Sequence, residues 1–383
     1  MDELDVVTLA VLGNPDLKAA RLRAGVAQAQ LVQAGLIPDP TFDASLGRSS
    51  SHTGYAVGLN EDLQPLFTRD ARVAAARAHV SAVHLEILWD EWQVAERASE
   101  LFSVAQADDA LAPILKSQSA LLEERYRVAQ AALARGNATM SAVSSELVAL
   151  ADVQDRLRRL DLDANRARHE LNALLGLAPE AKLMLRGEAT PPLLVRPAFA
   201  SALATMPKRR PDLLALEAGY RSSEARLREA ILGEFPPLTV GVEQGRSTEE
   251  GVSSVGLSLN VTLPFFNGNR GAVAIGEATR AALRQEYQAR LDQSESDADR
   301  VWHATRILSR ELATLNARLP ALQSAADAAK QAFAKGTLDI DSYTSLTTYA
   351  LTEQADAIRL AASLAAAQAS LRMLLGLPFE GPP

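Results

Sequence analysis

The groups that could bind a metal or move a proton are dispersed along this chain. Five histidines, His52, His79, His84, His169 and His303, lie far apart, and none reads as part of the i,i+4 or acid-paired spacing by which a helix presents a metal site. The paired acids Asp108-Asp109 and Glu123-Glu124 stand in polar helical stretches without a nucleophile or base partner, so they read as solvated faces. With no cysteine, the chain has neither disulfide nor thiolate chemistry. No catalytic group, cofactor site or metal site is expected. What repeats instead is a cation beside a glycine: Arg135-Gly136 and Lys335-Gly336, the second followed by Asp339 and Asp341. Glycine after a helix suits a left-handed cap, a cation in the last turn suits the helix dipole, and an acid at the next helix start suits an N-cap.

The elements that would position these residues are long. A chain of 383 residues with only 5% aromatics, rich in Ala, Leu, Arg, Glu and Gln, has the composition of extended helices packed through small side chains. A formal charge of −8 and the absence of a basic tract argue against a nucleic-acid partner. Met1 is followed by Asp2, Glu3 and Asp5, the wrong charge for a secretory signal, so a leader was either removed or never present. No apolar run is long enough for a spanning helix, and any membrane crossing must be β.

The chain also matches itself. At an offset of about 200, Ala132, Ala134, Arg135 and Gly136 fall on Ala332, Ala334, Lys335 and Gly336, and Leu174-Leu175-Gly176-Leu177 falls on Leu374-Leu375-Gly376-Leu377. At about 196, Pro15-Asp16-Leu17 falls on Pro211-Asp212-Leu213. Two copies of one unit are therefore expected, about 1–190 and 191–383. In each copy a helix (about 14–36, then 210–232) leads to two alternating segments. Phe42, Ala44 and Leu46, then Tyr55, Val57 and Leu59, alternate with small or polar residues; so do Leu238, Val240 and Val242, then Val255, Leu257, Leu259 and Val261. Such strands suit a half-buried sheet in a soluble protein, but their length and their Gly, Ser, Asn and Thr face suit a tilted bilayer crossing around a wet lumen. Four strands cannot close a barrel, so a membrane reading needs two copies of the chain for eight strands or three for twelve.

After the strands each copy runs as a helix for roughly 68 residues, or about 100 Å, to Gly136 or Gly336, apart from interruptions at Pro113 and Pro320. It then returns as a helix of roughly 36 residues, about 54 Å, ending at Leu-Leu-Gly-Leu. The shorter helices of about 23 residues make up the missing length, giving two continuous columns beside two broken ones. The return from Ile340 carries Tyr343, Ala350, Ala361, Leu364 and Leu371 near coiled-coil spacing. The segment from about Ala178 to Arg209, with Pro179, Pro191, Pro192, Pro197 and Pro207, reads as an irregular girdle.

Over nearly its whole length the chain resembles the outer membrane efflux protein (TolC-like) family. The resemblance is carried by Asn14-Pro15-Asp16-Leu17, its partner Arg210-Pro211-Asp212-Leu213, and Leu263-Pro264-Phe265-Phe266 leading to Asn269-Arg270-Gly271; Gly35-Leu36-Ile37-Pro38-Asp39-Pro40 is most similar to the cobalt-zinc-cadmium branch. It implies a mainly α fold with a small β part: long coiled-coil helices in a duplicated unit, and four transmembrane strands per chain. A homotrimer would form a 12-strand β-barrel in outer-membrane lipid of a Gram-negative bacterium, continued by an α-helical barrel in the periplasm. By the same resemblance, strands about 40–65 and 236–264 form the barrel, helices about 68–175 and 268–375 the tunnel, and about 176–209 an equatorial region. The function implied is a passive duct for metal ions or drugs. Solute is delivered by an inner-membrane pump of the resistance-nodulation-division type and a periplasmic adaptor (membrane fusion) protein, which docks at a periplasmic tip bearing Arg135, Gly136, Lys335 and Gly336. The family often has an acid six places after the tip glycine; here Ala142 and Ser342 stand there, with Asp339 and Asp341 nearby as a possible constriction. The lipid-bearing N-terminal cysteine of some members is absent. The rival readings are the duct of a type I protein secretion system and a soluble coiled-coil structural protein.

Overall fold

A computed structural model describes residues 1–48, 53–187, 193–247 and 253–378; His52, Pro191 and Pro192 lie outside the described residues. The elements run α1 (Glu3–Gly13), α2 (Pro15–Gly35), β1 (Thr41–Arg48), β2 (Thr53–Asp62), α3 (Gln64–Ala134), α4 (Met140–Leu174), α5 (Arg196–Thr205), a 3-10 turn (Met206–Lys208), α6 (Pro211–Leu232), β3 (Leu238–Ser247), β4 (Ser253–Val261), α7 (Arg270–Ala334) and α8 (Ile340–Leu374). The strands and long helices fall where alternation and proline punctuation predict them. Two expectations fail, and one helix was not anticipated. The helices do not break at their prolines: α3 continues through Pro113 and α7 through Pro320. Each proline removes only its own N–H from the ladder, and around Pro113 the buried Leu111, Ile114 and Leu115 hold the helix against its neighbours. The girdle is not wholly irregular, because α5 forms where Phe199 and Ala202 can bury one face. A separate helix, α1, precedes α2, capped at Asp2 by a reciprocal pair of hydrogen bonds with Asp5.

The chain divides into two compact units that cut across the repeats. One comprises residues 1–18, 90–209 and 294–383. Its core forms where Val6, Val7 and Ala10 of α1 meet Ala98 and Phe102 of α3, Leu171 of α4 and Leu175 at the α4 C-cap. A second cluster joins Phe199 to Trp302, Leu371 and Leu375, with the Phe199 and Trp302 rings stacked 4.7 Å apart. Both Leu-Leu-Gly-Leu sequences end a helix the same way. Gly176 and Gly376 take φ of 67°, and the N–H groups of Leu177 and Leu377 donate to the carbonyls of Asn172 and Arg372. In the first copy that turn is locked further, since a side chain on Gly13 would strike the Leu175 carbonyl and Asn14 donates to Leu174 O at 3.0 Å.

The other unit comprises residues 19–89 and 210–293. It holds an antiparallel sheet in the order β1-β2-β3-β4. At the start of α6, Arg210 is buried against the Trp89 ring and pairs with Asp212 through two hydrogen bonds of 2.9 and 2.7 Å.

Candidate functional site

The register of the sheet sorts its side chains onto two faces. Phe42 pairs with Leu59, Leu59 with Val242 and Val242 with Leu257, so one rung of four apolar residues crosses the sheet. The next rung on the opposite face joins Asp43, Gly58, Glu243 and Gly256. Packing cores ordinarily hide such an apolar face, yet here Leu46 is 88% exposed, Leu257 86%, Val255 75% and Phe42 70%. The other face is small and polar. Asn60 reaches across it, donating to Asp43 at 2.6 Å and lying over Gly241 toward Ser258, where a side chain on residue 241 would collide with it. β1 and β4 are the free edges of the sheet.

The second set of candidate residues lies at the two hairpin turns of the first unit. Gly136 and Gly336 have φ of 73° and 72°, and the N–H groups of Asn137 and Thr337 donate to the carbonyls of Ala132 and Ala332. Arg135 and Lys335 are exposed beside them. Asp339 caps α8: it accepts from the Ser342 amide and hydroxyl, each at 2.8 Å, and these bonds hold its carboxyl below the usual carboxylate range. Thr139 caps α4 at the equivalent place. Asp341 takes a different part. Its carboxylate pairs at 3.1 Å with Arg125 of α3, which also pairs at 2.8 Å with Glu146 of α4 and donates to Ser345 of α8. Arg125 and Glu146 were invisible as a site in the sequence, because they lie on different helices and Arg125 takes its other partners, Asp341 and Ser345, from the second copy. The only available signal was a heptad-spaced charge within otherwise apolar seams.

Two readings of the titratable groups need correction. His303 does have an acid one turn away, Asp299, at 3.8 Å, although both are exposed. Asp108 is not a simple solvated face: one carboxylate oxygen is buried without a partner, and burial together with Asp163 and Asp109 pushes its pKa up while Arg168 opposes. Asp109 pairs with Arg168, and Glu124 with Arg127 on an exposed surface. Burial likewise raises Glu96. Among the described residues no group of three or more metal-binding side chains converges, and no helix is long and apolar enough to cross a membrane.

A sheet with one exposed apolar face and one small polar face, in a chain of long helices built in duplicate, is the make-up of an outer-membrane protein whose strands meet lipid. The family model "Outer membrane efflux protein" matches residues 6–177 and 203–377, and the chain belongs to that family. It is 27% identical to the protein CyaE of Bordetella pertussis over 76% of this chain, spanning 65% of CyaE's length. It is 26% identical to the pyoverdine export outer membrane protein OpmQ of Pseudomonas aeruginosa over 94% of this chain and 82% of OpmQ. The cobalt-zinc-cadmium resistance protein CzcC of Cupriavidus metallidurans is 27% identical over 74% of this chain and 68% of CzcC. In fold it is similar to the outer-membrane channel OprN, with a TM-score of 0.78 at 17% identity over 98% of this chain and 89% of that one. The protein is thus an outer membrane efflux protein.

Proposed function

We propose that three copies of this chain form one passive duct, in which strands about 40–65 and 236–264 of each copy build a 12-strand barrel. Helices about 68–175 and 268–375 build the periplasmic tunnel, and about 176–209 an equatorial region. The observation that carries this reading is the four-stranded sheet with an exposed apolar face and two free edges. In hydrocarbon each unpaired backbone group on those edges costs several kcal/mol, and only other copies can satisfy them in register. Solute is delivered by a periplasmic adaptor and an inner-membrane pump of the resistance-nodulation-division type. The pump chooses the cargo, a metal ion or a small organic molecule, a range spanned by the names of CzcC and OpmQ. The adaptor meets the turns bearing Arg135, Gly136, Lys335 and Gly336, where exposed side chains stand beside tightly closed backbone. Asp339 and Asp341 lie just inside that end, and the Arg125 cluster holds the second hairpin against the first. The duct makes and breaks no bonds.

Native mass spectrometry of protein extracted in mild detergent tests the assembly: a detergent-dependent trimer is expected, and a monomer indifferent to detergent overturns it. The face assignment is tested by Leu257→Arg, expected to abolish outer-membrane assembly because a cation at mid-bilayer costs about 2–4 kcal/mol per copy, and by Ser258→Arg, expected to assemble and change conductance. Equal tolerance of the two sinks the barrel.

A further inference from the structure

We infer that the sheet-bearing unit carries a binding groove for an organic anion, a phosphate or carboxylate group on a compact apolar body. The groove has a volume of about 850 Å³, within the range of small-molecule sites, and α3, α6 and α7 of a single chain line it. Contacts between the helices fix its walls. Ser222 of α6 donates to Ala75 O of α3 (2.9 Å), Arg280 of α7 pairs with Glu224 of α6 (3.1 Å), and Asn269, just before α7, donates to Ala230 O of α6 (2.7 Å). Each chain holds a whole groove, so the site goes beyond the trimeric duct and does not depend on it.

Three features of the lining point to a ligand. The first is charge. Arg226 of α6 is exposed in the groove and, among the described residues, has no ion-pair or hydrogen-bond partner. Arg72 of α3 lines the same groove, and because α3 and α6 run antiparallel past the Ala75–Ser222 contact, the two arginines stand at nearly the same height. Arg72 donates to Ala34 O (3.0 Å) and Leu36 O (3.3 Å) of the α2 end, which orients its guanidinium without neutralising it. Two planar cations side by side suit an oxyanion. The second feature is Ser223, which lines the groove, is only 5% exposed and has no hydrogen-bond partner among the described residues. A buried hydroxyl left alone destabilises the fold, and a ligand oxygen beside it would accept its proton. The third is Gly219. It sits inside α6, where alanine is the better helix former, and nothing lies within 4 Å of where its Cβ would stand. Packing does not call for glycine there; an open groove does. Apolar surface adjoins the cations at Ile275 of α7, which is 69% exposed. Glu229, one turn from Arg226 toward the sheet, is the acid of the lining, and it keeps the ligand's charge on the arginine side.

The test titrates full-length chain in dodecyl maltoside with phenyl phosphate, which stays in solution, and with phosphatidylglycerol carried in the micelles, counting bound molecules by native mass spectrometry. Saturation at one phenyl phosphate per chain is expected. Phosphatidylglycerol that displaces it assigns the groove to a lipid headgroup, and lipid that fails to compete assigns it to a dissolved anion. Arg226→Gln is expected to weaken binding about tenfold or more, and Glu229→Gln, which removes a like charge, to tighten it. Gly219→Phe should fill the groove and abolish binding, while Gly219→Ala, better suited to a helix, should leave it unchanged. Absence of saturable binding, or equal binding by the parent and Arg226→Gln, overturns the site. The same spectra separate this failure from that of the duct: a trimer that binds nothing overturns the groove alone, whereas a monomer that binds overturns the duct alone.

Discussion

The two hairpin turns share a backbone and differ in how they are held. Both close on a glycine of nearly equal positive φ, with the same hydrogen bond from the following residue, and both start the return helix on a side-chain cap. Beyond that they diverge. The second turn has the stacked Phe333 and Tyr343 rings, 4.9 Å apart, where the first has Leu133 and Val143, and it caps with a carboxylate where the first uses a hydroxyl. It also sends Asp341 to Arg125, which belongs to the first hairpin. Duplication thus conserved what steric exclusion enforces, since only glycine takes that conformation without strain, and left the side-chain braces free to change. The first hairpin is braced by Arg125 and Glu146, and the same arginine ties the second hairpin to it through Asp341.

The strongest way to break this comparison is to cut the tie. Arg125→Ala leaves Glu146, whose side chain is only 13% exposed, without its cation, and about 1–3 kcal/mol is at stake. Amide exchange in the first turns of α4 and α8 should quicken by about 5- to 150-fold. Asp341→Ala removes only the 69% exposed partner and should change exchange by less than about fivefold. If the two variants behave alike, Glu146 is not the anchor and the turns are not coupled as described.

How much of this was legible follows from the range of each interaction. The strands and their faces were legible because alternation is local, and the observed pairing of Phe42 with Leu59 and Val242 with Leu257 keeps the large apolar residues of that rung on one side. The turn glycines were legible because a left-handed cap has a local signature. Helix α1 was missed because its stability comes from Val6, Val7 and Ala10 meeting Phe102 and Leu171, partners far away in sequence. The proline breaks were wrong for the same reason, with packing of Leu111 and Leu115 outweighing one missing backbone bond. Arg125 was missed because its two carboxylates lie on two other helices. What the sequence hides is consistently what side chains do across helices.

A smaller effect sharpens the conserved half of the comparison. Gly136→Ala and Gly336→Ala each force a Cβ into the left-handed region, at about 1–2 kcal/mol, with open space around both. Exchange of the Asn137 and Thr337 amides should quicken equally, by about 5- to 30-fold. Unequal responses would mean that the second turn's braces bear on the glycine itself.

The smallest effect separates the caps. Thr139→Ala should cost about 1 kcal/mol, read as faster exchange at the start of α4, and the loss should be the same at every pH because a hydroxyl does not titrate there. Asp339 differs in kind. Its carboxyl is held below the ordinary range by the Ser342 amide and hydroxyl, so its folded pKa lies under its unfolded one, and the stabilisation is present above the ordinary carboxylate pKa and lost as pH falls through the depressed one. Asp339→Ala should therefore loosen the start of α8 at neutral pH, and the gap between variant and parent should close on acidification, measured as protection factors across that range. A gap that stays constant with pH would mean that the cap acts through shape alone, and the charge at the second turn would then lie elsewhere, on Asp341 and its tie to the first hairpin.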